Sequence, residues 1–265
     1  MTLVIAEFGS TTGPDLQRMY RAIDTAKACG ADVWKTQWTS SAIALARQRR
    51  APDYLARYRL IQWPRDWHAL LKDHCDRVGI EYGCTVYLPQ DVPVIAPFVE
   101  RFKVSSFEAR DAALWRQLVR SRKPKLVSVG MLGHRTGSWG VARRLRRTDT
   151  LLYCVTGYPV PAEQLRLHSL RQTAVLTRGN VGLSDHTRSL VTGALAVALG
   201  ATVIEKHVRL DDTRPSNADY PVSLDPGAFR DYVRYIREAE VVLGRPGSRK
   251  RVQPCERHYL RFRVR

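Results

Sequence analysis

The sequence is short of several things. Its 265 residues hold no apolar run of about 18, the length a membrane-spanning helix needs. The start, MTLVIAEFGS, has no basic segment ahead of its apolar one, so it looks like a first strand rather than a signal peptide. Cysteine is sparse and odd in number, at Cys29, Cys75, Cys84, Cys154 and Cys255, with no CxxC spacing. That excludes a disulfide framework and a zinc ribbon, and makes a reducing cytoplasm the simplest compartment. No GxGxxG follows the first apolar run, which removes the main support for a dinucleotide fold. Acids are also scarce: 25 against 43 basic residues, a net charge of +18. The basic residues are mostly Arg and cluster at 47–50, 143–147 and 245–265. Such clusters would suit nucleic acid. No RRM, helix-turn-helix or zinc-finger pattern accompanies them, however, and a positive field equally suits a small anionic substrate.

What is present is a regular alternation. Short apolar runs at 3–9, 32–39, 81–87, 101–106, 125–131, 150–156, 181–187 and 203–207 read as strands. Helical patterns follow at 15–29, 65–78, 90–99, 111–122, 138–147, 162–174, 189–200 and 229–243. An irregular helical excursion rich in Arg and Tyr occupies 42–62, and Pro64 stands where a first helical residue would. Near-continuous apolar strands separated by helices imply a parallel sheet. Eight such units predict an α/β fold of the (β/α)8 TIM-barrel type over 1–244, with 245–265 a basic tail or linker.

A barrel gathers its strand tips on one rim. Those tips carry Glu7, Lys35, Gln37, Thr85, Lys103, Ser106, Ser128, Thr156, Tyr158, Ser184, His186, Glu205 and His207. Lysines and hydroxyls converging on one mouth suit a phosphate or carboxylate. Two imidazoles at the ends of neighbouring strands, with carboxylates nearby, suit a divalent metal. Buried Lys and Glu on a barrel axis are too costly to be there for packing.

The strings IAEFG, DVWKTQ, FKVSSFE, VSVGM, YCVTGYPVP, VGLSDHT, ALGATVIEKHV and DYPVSLDP follow one another in order. In sequence and spacing the chain resembles the sialic acid synthase (N-acetylneuraminate synthase) family, from Leu3 to about Gly244. Members of that family, with their pseudaminate, legionaminate and spore-coat relatives, condense phosphoenolpyruvate with an N-acetylated sugar aldehyde. The resemblance implies that His186 and His207 bind Mn²⁺ or Mg²⁺. It implies that Lys35 and Lys103 hold phosphoenolpyruvate, with hydroxyls from Thr85, Ser106, Ser128 and Ser184. Glu7 would lie near the reacting carbons. Gln37, Glu108, Tyr158 and Asp219 would meet the sugar. The implied reaction is attack of the enol C3 on a metal-polarised aldehyde, water addition at C2, and loss of phosphate by C–O cleavage.

Four departures from the family pattern stand out. Thr11 and Thr12 replace an Asn-His pair after the first strand. Tyr153 replaces a His before the sixth strand's Cys and is expected to reshape the mouth. Thr156 replaces an Asn and shortens a hydrogen-bonding group at the substrate end. The resemblance covers the barrel domain only, without the C-terminal antifreeze-like domain that spans a homodimer in the family. The leading expectation is thus a metal-dependent synthase of a nonulosonic acid, acting as a possible homodimer and needing no membrane. The alternatives are a repurposed barrel that binds phosphoenolpyruvate or sugar without catalysis, and a nucleic-acid-associated basic protein.

Overall fold

A computed structural model describes residues 1–132, 138–177, 180–244 and 252–262. Eight strands are present: β1 (Leu3–Gly9), β2 (Val33–Gln37), β3 (Glu81–Val86), β4 (Phe102–Val104), β5 (Lys125–Ser128), β6 (Thr150–Tyr153), β7 (Val181–Asp185) and β8 (Val203–His207). They pair in parallel and in sequence order, and β8 returns to β1, closing the barrel. The predicted (β/α)8 architecture is the one observed.

Each strand leads into helix. α1 (Leu16–Ala28) follows β1; α2 (Ala42–Gln48), α3 (Leu55–Arg59) and α4 (Trp67–Val78) follow β2. α5 (Asp91–Ile95), α6 (Ala112–Arg120) and α7 (Trp139–Ala142) follow β3, β4 and β5. α8 (Ala162–Leu165) and α9 (Ser169–Leu176) follow β6, α10 (Thr192–Ala198) follows β7, and α11 (Pro226–Leu243) follows β8.

Strand alternation sorts the side chains into two populations. Outward positions such as Val4, Trp34, Tyr82, Phe102, Leu183 and Ile204 are buried under the helices and form the main core. Inward positions of the lower barrel form a separate apolar plug of Ile5, Val33, Leu126, Leu152 and Val203. Gly182 belongs to this plug because nothing larger fits. A Cβ there would stand 2.4 Å from the Val203 carbonyl oxygen and 2.6 Å from Leu152 Cδ2. Two residues further up each strand the inward set turns polar, and there the site lies.

Several element ends differ from expectation, for local reasons. Pro64 stands in a turn ahead of α4 rather than at its first position. The helix expected over 162–174 breaks at Arg166, whose φ of 45° is left-handed, giving α8 and α9. The helix expected from 189 starts at Thr192, because residues 186–191 are tied back to the end of β7. α11 starts earlier than expected, with Pro226 at its first turn and the Asp225 carboxylate accepting from the Ala228 N–H at 2.9 Å. Helix 138–147 shortens to the single turn α7. In the tail, residues 245–251 and 263–265 lie outside the described residues, while Pro254–Phe262 forms an exposed 3₁₀ helix. Among the described residues no helix is long and apolar enough to cross a membrane.

Candidate active site

The polar end of the barrel opens into a cavity of about 540 Å³. Its floor is the inward layer immediately above the apolar plug. Lys35, two residues after Val33, donates to Thr85 Oγ1 at 2.8 Å and is ion-paired with Glu7. Glu205, two residues after Val203, lies 3.5 Å from Lys35 Nζ and 3.4 Å from Lys103 Nζ. Ser184 donates to the same carboxylate at 2.7 Å. All of these side chains are buried.

The charges in this floor are set by one another. Burial pulls the Lys35 ammonium down to about 8, with Glu205 opposing the shift. Burial would push the Glu205 carboxyl up, but Lys103 and Lys35 outweigh it and bring it down to about 2. Glu205 is therefore a carboxylate wedged between two ammonium groups. Both ammonium groups also border the open cavity, where hydroxyls add neutral donors. Around it Ser106 accepts from the Gly130 N–H at 2.9 Å, while the buried hydroxyls of Ser128 and Thr156 have no hydrogen-bond partner. Unpaired hydroxyls in a polar cavity are free to bond a ligand oxygen.

Above the lysines stand the two histidines. His207 is the last residue of β8, and His186 follows β7 directly. Their ring centroids are 5.5 Å apart. His186 Nδ1 lies 2.8 Å from the Val155 carbonyl oxygen, a contact that requires the proton on Nδ1 and leaves Nε2 as a lone pair. His207 Nδ1 is buried without a partner. Burial lowers both imidazoles, His207 to about 3, so both are neutral near pH 7. Two neutral imidazoles, that of His186 anchored on a carbonyl, fit a divalent cation as ligands. Among the described residues no group of three or more His, Cys, Asp or Glu could hold a metal ion. The pair would thus leave most of a cation's positions to water and substrate oxygens. Tyr158 leans on His186 with centroids 4.5 Å apart.

The remaining wall is polar. Gln37 donates to Glu7 at 2.9 Å. Asp219 accepts from the Ser10 hydroxyl at 2.6 Å and its N–H at 3.1 Å. Gly9 lets these groups meet. Its φ is +44°, and a Cβ there would lie 2.9 Å from Glu7, 3.0 Å from Asp219 and 3.0 Å from Gln37. Glu108 is placed differently from the others. Both its oxygens are held by Arg49, at 2.8 and 2.7 Å, and it is Arg49 that faces the cavity. The guanidinium sits among Tyr58, Tyr87 and Phe107, 4.5 to 5.5 Å from their ring centroids.

The cavity therefore brings together every expected site residue except Glu108, which backs it through Arg49. Arg49 was missed because the 47–50 cluster reads as surface charge, and its partner is 59 positions away. Glu205 stood among the strand tips without a role; its same-face spacing from His207 was the available signal. Two departures also resolve. Tyr153 faces the helices and donates to the Leu165 carbonyl, so it does not reshape the mouth. Thr11 and Thr12 are buried, and Thr11 donates to the Val208 carbonyl at 3.1 Å, fastening the loop to β8.

A profile of the NeuB family matches residues 22–248. The chain is 29% identical over 266 residues to the uncharacterised protein MJ1065 of Methanocaldococcus jannaschii, covering 98% of this chain and 76% of that one. It is 29% identical over 261 residues to the N,N'-diacetyllegionaminic acid synthase of Legionella pneumophila, covering 91% and 73%. The N-acetylneuraminic acid synthetase of Leptospira borgpetersenii, solved with citrate, superposes with a TM-score of 0.86 at 22% identity, covering 98% and 90%.

Proposed function

The chain belongs to the NeuB family of C–C bond-forming synthases, and on that premise we propose that it condenses phosphoenolpyruvate with an N-acetylated sugar aldehyde. The products are a nonulosonic acid and inorganic phosphate. The observation that carries the reading is the pairing, in one cavity, of two lysines spaced by Glu205 with two neutral imidazoles above them. The reaction needs those two centres: an anion site for the enol phosphate and a neutral-ligand site for the carbonyl.

Lys35 and Lys103 would neutralise the phosphate and carboxylate of phosphoenolpyruvate, and Ser106, Ser128, Thr85 and Ser184 would bond its oxygens. Glu205 then keeps the two ammonium groups apart and aimed. A divalent cation held by His186 and His207, Mn²⁺ or Mg²⁺, would supply Lewis acidity to the sugar's carbonyl oxygen. The enol C3 forms a bond to that carbonyl carbon, whose oxygen takes a proton. Water adds at C2 and gives up a proton, and the C2–O bond to phosphate breaks as the C2 hydroxyl passes its proton to the departing phosphate, leaving the 2-keto acid. Glu7 would move these protons, a reading its contacts with Lys35 and Gln37 support. Gln37, Tyr158, Thr156 and Asp219 would orient the sugar, with Arg49, backed by Glu108, facing it. A cytoplasmic setting suits the five unpaired cysteines, four of them buried.

The test is phosphate release from phosphoenolpyruvate with Mn²⁺ and N-acetylmannosamine or a 2,4-diacetamido sugar. Turnover that stops on chelation and returns with Mn²⁺ is the expected result. A folded protein that turns over none of these aldoses would defeat the reading.

A further inference from the structure

Asp185 and Lys206 precede the two histidines in sequence and face the other way. They are opposite one another in the β7–β8 ladder. Alternation turns Ser184, His186, Glu205 and His207 into the barrel, and Asp185 and Lys206 outward beneath the helices. The outward pair just below them is Leu183 and Ile204, both fully buried. The pattern thus asks for two apolar residues and finds an ion pair. Both side chains are fully buried, with Lys206 Nζ 3.0 Å from Asp185 Oδ2. An ion pair in such a place rarely stabilises a fold better than two apolar side chains of its size.

The bonds around this pair tie two helices to the strand tips that carry the histidines. Asp185 accepts from the Thr187 N–H at 2.8 Å, from the Tyr232 hydroxyl at 2.9 Å and from the Thr192 hydroxyl. Lys206 donates to the Thr187 carbonyl. Residues 185 and 187, on either side of His186, are therefore both fastened, and to Lys206, the residue before His207. Tyr232 reaches in from α11 only because residue 193 is glycine. A Cβ there would lie 2.7 Å from its hydroxyl. The tie thus runs from α11 and α10 into the two strand tips.

We infer that Asp185 and Lys206 are positioning residues for the two-imidazole site, an ionic cross-link that fixes the separation of His186 and His207 from the outside of the barrel. The inference rests on the proposed role of those histidines as ligands of a divalent cation. It is independent of which sugar is used.

The experiment is calorimetric titration of Mn²⁺ into the metal-stripped full chain, with a thermal melt of each variant. Three variants are compared with wild type: Asp185→Asn, Tyr232→Phe and the double change Asp185→Leu with Lys206→Met. The double variant is expected to melt at or above wild type, as apolar replacements of buried ion pairs do. It is also expected to bind Mn²⁺ about 10- to 100-fold more weakly, the usual effect of losing outer-shell support. That divergence of affinity from stability is what a merely structural pair would not produce. Double-variant affinity within about twofold of wild type overturns the inference, because outer-shell loss is larger than that. If the double variant does not fold, Tyr232→Phe decides: several-fold weaker binding at an unchanged melt supports the cross-link, and unchanged binding overturns it. A wild-type chain that binds no Mn²⁺ removes the metal reading itself, and this inference with it.

Discussion

Two layers of the same barrel, one residue pair apart on each strand, have opposite chemistry. Ile5, Val33, Leu152 and Val203 make the lower layer apolar and closed. Glu7, Lys35 and Glu205, two positions further along three of those strands, make the upper layer ionic, with Cys154 above Leu152 also lining the cavity. The lower layer is a packing solution, in which glycine at 182 leaves room for the side chains of its neighbours. The upper layer is a poor packing solution, because buried charges need partners and still cost solvation. The lesson is a division of labour: the plug holds the barrel so that the layer above can be spent on chemistry.

That division can be broken at points of decreasing severity. The largest effect is expected for His186→Ala or His207→Ala in the upper layer. Turnover should fall by about 10³-fold or more, the several kcal/mol that a Lewis acid supplies. The melting temperature should hold, which a parallel phosphate-release assay and thermal melt would show. Next is Lys35→Met, which leaves Glu7 and Glu205 short of a cation. It should lower kcat/KM for phosphoenolpyruvate by about 10²-fold and destabilise by roughly 3 kcal/mol. A loss of activity without any loss of stability would show that the upper-layer charges are not mutually dependent. In the lower layer Leu152→Ala should cost about 2–5 kcal/mol in urea unfolding while kcat/KM changes little. Gly182→Ala should cost about 1–3 kcal/mol through overpacking. If either lower-layer change abolished turnover at intact fold, the two layers would not be separable.

The last expected effect is a slope in pH, and it lies outside both layers. His68, buried on α4 with Nδ1 2.7 Å from the Tyr82 hydroxyl, is held down to about 3 by burial. Its folded value is thus below its unfolded one of about 6.5. It contributes stability that is whole above pH 6.5 and is lost as pH falls toward 3. His68→Phe should flatten the acid limb of stability against pH by up to about 1.4 kcal/mol per unit, one proton's worth. An unchanged limb would place the acid sensitivity on other groups, His207 foremost.

How far the sequence led can be judged from single residues. The upper layer was legible because same-face spacing is a fixed rule on a strand. Once His207 was placed, Glu205 had to share its face, as Lys35 and Gln37 share theirs. Helix ends were less legible. The left-handed turn at Arg166 has no glycine to announce it, and the start of α10 depends on bonds to Asp185. Pairings between distant loops were not legible at all. Arg49 meets Glu108 through a contact that only the closed barrel creates. Nor did the outward charge of Lys206 stand out, since Lys in a strand is ordinarily taken as solvent-facing.

The loop after β1 sets a residue pressed against the cavity beside two that face away from it. Gly9 is blocked twice over, by a left-handed backbone and by three side chains crowding the space a methyl would need. Two residues on, Thr11 and Thr12 have turned their side chains away from the cavity and into the fold. A side chain at 9 would press on Glu7, Gln37 and Asp219 at once, whereas Thr11 bears on the cavity only through the loop backbone it fastens.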